Sequence, residues 1–350
     1  MKVFTKIENI KDQWNSRKNM FLDIKFIECF YKNHPNIQHI FILDKNLKLY
    51  SHIFKLRLTQ TMNYLTSNFI LTLLFRVINI NVLYLTNSFI TNIPSYHTAD
   101  KININNVINA IKSKHNFFLI VIPDFLFKNL KGNMKSEFTK VEVEEEMILY
   151  IKKRWVKIDN YIDDLKSKYR KKLHEIILKS ACIKIKEIEY KKAKIYKAEI
   201  ATLFEEIIKD SKFSGPKFNT ETLICLLENN HINLYGYFLN NNLIAFSSEI
   251  YNDNILYSYY VGFNKKLNYK YSLYSRILIE TIKNAINLKA EKIVFGRTAN
   301  EYKSNFGATP IQSFIFLKTN KIYLSRVFKI LFKKLRVKPW ETRTPFKQEK

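Results

Sequence analysis

The sequence predicts an α/β protein of tandem halves, each a mixed, mostly antiparallel sheet flanked by helices. Three observations predict it. Apolar residues recur at helical steps opposite lysine-rich faces, an asparagine-punctuated strand meander follows, and a long apolar-faced segment separates that meander from two last strands.

The C-terminal half carries the clearest pattern. Tyr161, Leu165, Tyr169, Leu173 and Ile177 stand four apart, so the spacing predicts one helix whose other face holds Lys166, Lys168, Arg170, Lys171 and Lys172. Ile183, Ile185 and Ile188 predict a short strand. Ile200, Leu203, Phe204, Ile207 and Ile208 predict a second helix. Ser214-Gly215-Pro216 breaks the chain, and Thr220 is placed to cap a helix carrying Leu223, Ile224 and Leu227. Strands are expected at Asn233–Leu239, Leu243–Tyr251 and Ile255–Phe263, joined by Asn240-Asn241-Asn242 and Asn252-Asp253-Asn254 turns. A helix over Ser272–Leu288 presents Leu273, Ile277, Leu278, Ile282, Ala285 and Ile286 on one face. Glu291–Phe295 reads as a buried strand, the loop GRTANEYKSNFGATP follows, and Ile311–Leu317 closes the sheet.

The N-terminal half repeats the theme less regularly. It offers a helix around Phe21–Tyr31, strands at Ile37–Leu43, Lys48–Leu56 and Val82–Leu85, a helix at Asn105–Lys112 and the apolar run Phe117–Pro123. A degenerate copy of the same fold is the leading reading, and one irregular α/β domain competes with it. The acidic run Val141–Glu146 is the expected seam, giving domains 1–146 and 147–320 and a tail 321–350.

Composition narrows the setting. Of 350 residues, 47% are hydrophobic and 25% charged, while six glycines and seven prolines leave little material for flexible linkers. A formal net charge of +27 attracts polyanions: nucleic acid, anionic lipid or an acidic cofactor. Cys29, Cys182 and Cys225 are odd in number and outside any C-x-x-C spacing, which predicts buried thiols in a reducing cytoplasm in place of a disulfide framework or zinc site. His97 and His174 stand alone, so no metal is expected. The N-terminus has charges where a signal peptide needs an apolar core. Phe69–Leu85 is interrupted by Arg76, Asn79 and Asn81 and is too short and polar for a membrane span.

Specific motifs then add to the pattern. WVKIDNYIDDLKSKYRKKLHEI (Trp155–Ile176) resembles the helix opening the catalytic half of the FemAB-like and CelD/BcsL-like acyltransferases of the GNAT superfamily. FGRTANEYKSNFGATP (Phe295–Pro310) resembles their late Gly-Arg-Thr…Lys…Gly-Ala segment, and DQWNSRKNMFLDIKFIECF (Asp12–Phe30) their opening helix. The resemblance implies tandem GNAT-like domains. It also implies transfer of an acyl group to an amine or hydroxyl of a cell-envelope or polysaccharide precursor, small or lipid-linked, with acyl-CoA or aminoacyl-tRNA as donor. One departure matters. Acetyl-CoA-binding members hold the pyrophosphate on a glycine-rich loop before the crossover helix, whereas Phe263–Ser272 contains no glycine. A FemX-like, aminoacyl-tRNA-dependent peptidoglycan bridge transferase is therefore the nearest alternative, and a non-catalytic nucleic-acid-binding protein a second.

Such a transfer needs a base, donors for an oxyanion and a grip on the donor's phosphates. Glu249, in a strand of otherwise mild residues, is the candidate base; an exposed strand carboxylate is the competing reading. Tyr259 is a candidate proton donor, and alternation puts Tyr257 and Tyr259 on one face with Tyr260 on the other. Arg297, at a strand's carboxyl end, and Lys303 are placed to hold a carboxylate or phosphate, with Arg170, Lys171 and Lys270 as further phosphate contacts. KIYLSRVFKILFKKLRVKPW (Lys321–Trp340) predicts a basic amphipathic helix ending at Pro339, packed on the body or lying on an anionic membrane at its inner face.

Overall fold

The computed structural model describes residues 1–14, 19–57, 79–209, 215–320, 329–330 and 337–348. Two compact units emerge: Met1–Val143 with Lys212–Asn219 and Ser313–Lys338, and Glu144–Ser211 with Thr220–Gln312 and Pro339–Lys350. The units are not contiguous halves, because the chain's last strand and the segment before residue 220 pack into the first unit.

In the first unit, β1 (Lys2–Phe4), α1 (Ile24–Asn33), β2 (Gln38–Asp44), β3 (Leu47–Arg57), β4 (Asn79–Tyr84), β5 (Tyr96–Thr98), α2 (Ile104–Lys112), β6 (Leu119–Pro123) and α3 (Asp124–Phe127) follow one another. Strands β1 to β4 pair antiparallel in sequence order, β5 pairs with β3, and β4 runs parallel to β6. Residues Ile315–Thr319 close the sheet against β6. Asp23 Oδ1 accepts from the Lys25 and Phe26 amides and so starts α1; Asn103 does the same for α2. Ile104, Val107, Ile108 and Ile111 of α2 pack with Ile40, Leu49, Leu83 and Ile120 of the sheet.

The expected acidic seam is a strand, β7 (Thr139–Tyr150), and the unit boundary falls within it between Val143 and Glu144. The second unit continues with α4 (Ile158–Asp164), α5 (Ser167–Lys179), β8 (Lys184–Glu187), α6 (Tyr190–Ile195), α7 (Lys197–Ile208), α8 (Glu221–Glu228), β9 (Asn233–Leu239), β10 (Asn242–Asn252), β11 (Ile255–Phe263), α9 (Lys265–Tyr271), α10 (Leu273–Asn287), β12 (Lys292–Gly296), α11 (Asn300–Ser304) and the start of β13 (Thr309–Thr319). Strands β8 to β11 form an antiparallel ladder, β12 joins β11 in parallel, and β7 pairs with β12 antiparallel. Both meander turns have paired left-handed residues, Asn240-Asn241 and Asp253-Asn254, the geometry a two-residue hairpin requires.

Helix α10 covers one sheet face with Leu278, Ile282 and Ala285 against Leu256 and Ile293. Helix α7 covers the other, approaching so closely at Gly262 that an added Cβ would lie 2.8 Å from the Phe204 nitrogen. Only a glycine admits that backbone contact.

Several expectations need correction. The single helix over Tyr161–Ile177 is two, because Leu165 and Lys166 turn extended with ψ of 147° and 148°. The break is filled by the chain's end: the Lys166 amide donates to Pro345 O at 2.8 Å and Leu165 bridges Phe346. Thr220 precedes α8 without a side-chain capping bond. Cys182 is a free, exposed thiol where a buried one was expected. Most of the predicted tail helix, residues 321–328 and 331–336, lies outside the described residues, as do residues 69–78. From Pro339 to Gln348 the chain is an irregular strap on the second unit, with Phe346 among Trp155 and Tyr161. No described helix is long and apolar enough to cross a membrane.

Candidate active site

The parallel pair β11 and β12 is in register only at Ile255↔Lys292, Leu256↔Ile293 and Tyr257↔Val294. Beyond Tyr257 the two strands part, and β11 runs on to Phe263 with β10 alone as its paired neighbour. A splay at the carboxyl ends of parallel strands leaves backbone groups facing a cleft, where ligands of open α/β sheets bind. Between Ser247 and Glu249 on β10 the partner residues on β11 run from Val261 to Ser258, one residue more. This bulge breaks the alternation expected for the tyrosines. The Tyr259 and Tyr260 rings therefore lie 4.4 Å apart, tilted by 53°, and Tyr260 meets Phe204 of α7 at 5.3 Å.

An aromatic row continues on the α10 side: Phe263 to Tyr274 at 5.6 Å, Tyr274 to Tyr302 at 5.4 Å and Tyr302 to Phe306 at 5.9 Å. The Tyr302 hydroxyl hydrogen-bonds Ser275 Oγ. Lys172 of α5 holds its ammonium 5.9 Å from the centre of the Tyr302 ring. Burial raises the Tyr259, Tyr260 and Tyr274 hydroxyls far above their usual range, with neighbouring Tyr260 and Tyr302 adding to the effect on Tyr259 and Tyr274. All three remain protonated donors at neutral pH.

The segment after β12 is strained. Gly296, Thr298 and Ala299 have φ of +71°, +70° and +51°, and two of these carry side chains. Lys303 holds the turn in place. Its ammonium donates to the carbonyls of Phe295 at 2.8 Å, Gly296 at 3.1 Å and Arg297 at 2.9 Å. An ammonium has three protons, so all are committed. Burial pulls Lys303 down to about 7, and the Glu144 and Glu146 carboxylates pull the other way. The expected phosphate-gripping lysine is a loop clamp, while Arg297 is half-buried within the turn it clamps.

The segment in place of a glycine-rich loop is the short helix α9. Its Asn264 cap accepts from the Leu267 amide at 2.9 Å, and Glu206 Oε2 accepts from the Lys265 amide at 2.9 Å. Ser272, with φ of +51°, turns the chain into α10, where Asn268 Oδ1 takes the Tyr274 amide at 2.9 Å. Amides that could cradle a pyrophosphate are thus occupied, one of them by a carboxylate. Lys171 and Lys270 are exposed and Arg170 half-exposed, and α5, which carries two of them, touches α9, which carries the third.

Glu249 is elsewhere. It faces α10, where Asn284 Nδ2 donates to Oε2 at 3.0 Å, whereas Tyr260 and Gly262 face α7. Burial pushes the Glu249 carboxyl up to about 7. The Asn284 and Thr281 side chains pull it down, and Glu280 and Glu187 add to the rise. Tyr259 lies on β11 beyond the point where the strands part, the helices that carry Arg170, Lys171 and Lys270 touch one another, and Glu249 faces α10, the side along which the aromatic row also runs. Tyr274, Tyr302, Asn268 and Glu206 were missed by sequence reasoning. Only the i, i+4 spacing of Tyr302 and Phe306 hinted at an aromatic row. Among the described residues no cluster of His, Cys, Asp and Glu could hold a metal ion.

Neither a protein-family model nor a curated protein matches this sequence. In solved structures the fold is similar to the C-terminal domain of a putative lysylphosphatidylglycerol synthetase from Agrobacterium fabrum, with TM-score 0.54 at 8% identity over 93% of this chain and 95% of that one. It is similar to L-PGS from Bacillus licheniformis, with TM-score 0.53 at 10% identity over 89% of this chain and 96% of that one. FemX superposes with TM-score 0.53 at 9% identity over 94% of this chain and all (100%) of that one. The chain thus shares its fold with FemX and with these lysylphosphatidylglycerol synthetase structures.

Proposed function

We propose that the protein transfers an aminoacyl group from a tRNA donor to an amine or hydroxyl of a cell-envelope component. The observation that carries this is the closed anion cradle: Glu206 and Asn268 hold the amides that an acyl-CoA pyrophosphate would need, while Lys172 holds its ammonium over the Tyr302 ring of the aromatic row. Aromatic faces between cations suit the stacked bases and phosphates of a single-stranded end. The structural likeness to FemX and to proteins named for lysylphosphatidylglycerol synthesis supports an envelope acceptor, either lipid or lipid-linked.

In this scheme the acceptor attacks the ester carbon, the bond to the donor oxygen breaks, and the acceptor's proton ends on that departing oxygen. Tyr259, protonated and on β11 beyond the splay, relays the proton, and Arg297, half-buried in the turn after β12, is the candidate cation for the developing charge. Glu249 takes no part. A thermal-shift series with acetyl-CoA, long-chain acyl-CoA and aminoacylated tRNA tests the reading. Stabilisation by charged tRNA alone is expected, and stabilisation by either thioester contradicts it.

A further inference from the structure

The strap from Pro339 to Gln348 belongs to the second unit and has no regular secondary structure. Consecutive residues of it hold two separate elements. On one side, the Arg343 amide donates to Ser304 Oγ at 3.0 Å and the Arg343 guanidinium pairs with Glu301 at 2.6 Å, both on α11. On the other side, Pro345 O takes the Lys166 amide at 2.8 Å and Thr344 O takes the Lys166 ammonium at 2.9 Å, at the residue before α5. Phe346 joins the two. It bridges Leu165, and its ring packs beside Trp155 and over Gly307, just beyond α11.

These two elements carry the two sides of one contact. Lys172, in the second turn of α5, holds its ammonium 5.9 Å from the centre of the Tyr302 ring on α11. A cation is attracted to a ring within about 6 Å, so a small displacement of either helix loses the contact. Tyr161 ties α4 to the loop, its hydroxyl donating to Phe306 O at 3.0 Å, but the chain turns extended at Leu165 and Lys166 before α5 begins. Leu173 and Ile176 pack the later turns of α5 into the core, and the strap holds its start.

We propose that the strap is a positioning element for the aminoacyl-tRNA donor: Arg343 and Phe346 set the gap between α5 and α11 and so hold Lys172 over Tyr302. Neither residue touches the donor. The ligand in this inference rests on the tRNA reading, whereas the coupling of the two helices stands on the contacts themselves.

Two measurements on the full chain separate the coupling from the ligand. Hydrogen exchange read by mass spectrometry should show residues 165–172 and 300–307 exchanging about tenfold faster together in Phe346→Ala, with β9, β10 and β11 unchanged. Phe346→Leu, which refills the space, should restore both segments. In the transfer assay, Phe346→Ala should raise KM for aminoacyl-tRNA about tenfold with kcat within about twofold, and Phe346→Leu should return it. Arg343→Gln changes a half-exposed ion pair, so the test survives misfolding of the first variant; it should raise KM in the same direction, and Arg343→Lys should restore it. Faster exchange in only one of the two segments, or in neither, would overturn the positioning role, as would a KM unchanged in both Phe346→Ala and Arg343→Gln. Absence of transfer from aminoacyl-tRNA by the unaltered chain would overturn the ligand and the reading it rests on, while the exchange result still decides the coupling.

Discussion

Glu249 and Tyr259 lie on neighbouring strands at a β-bulge and differ in what their protons do. With its carboxyl lifted from 4.5 to about 7, Glu249 holds its proton in the folded protein across a range where the unfolded chain has lost it. Its contribution therefore falls as pH rises from 4.5 to 7 and stays unfavourable above that, by about 3 kcal/mol at 1.36 kcal/mol per pH unit. Glu249→Gln removes that cost. Thermal unfolding should show the variant gaining on the parent as pH rises from 5 to 8; a difference independent of pH would contradict the assignment. Tyr259→Phe should lower kcat for transfer about 100-fold with unchanged thermal stability, since it removes one proton relay and no packing. An unchanged rate would take Tyr259 out of the site.

The loop and strap around β12 act together at the scale of elements. Lys303 satisfies three carbonyls, Arg343 pairs with Glu301 at 2.6 Å, and Phe346 sits against Gly307, whose φ is +86°. Lys303→Met should cost about 3 kcal/mol or more in chemical denaturation, because it orphans buried acceptors. Gly307→Ala should destabilise by a similar amount, since an added methyl meets the Phe346 ring and the backbone is left-handed. An unchanged denaturation midpoint in either variant would show that the strap does not order the loop. The meander and α10 were legible from periodicity and asparagine turns, because local spacing dictates them. The break at Leu165–Lys166 was not, because its cause is Pro345 and Phe346, far along the chain. Arg297 and Lys303 were found by motif, but their division into a held residue and its clamp depends on carbonyl positions that spacing does not encode. Asn268, one polar residue among several in Phe263–Ser272, has no sequence signal that marks it as a helix cap.

At the scale of the whole molecule, buried histidines make the first unit sensitive to acid. In the first unit, burial pulls His34 and His39 down to about 4 and His52 well below its usual value. His39 Nδ1 meets the Tyr50 hydroxyl at 2.7 Å and His52 Nδ1 the Ser88 hydroxyl at 2.7 Å, so these rings are packed as neutral groups. The unfolded chain takes up their protons first as pH falls below 6.5. Stability should drop by about 2 kcal/mol at pH 5 for each of His34 and His39, seen as an earlier first transition in calorimetry. The central claim is the identity of the donor, and a direct transfer assay tests it. The full chain is given labelled aminoacyl-tRNA or labelled acetyl-CoA, with phosphatidylglycerol vesicles or a lipid-linked peptidoglycan precursor as acceptor. Label passing to an acceptor from aminoacyl-tRNA alone, and lost in Tyr259→Phe, is the predicted result; label passing from acetyl-CoA would contradict the account.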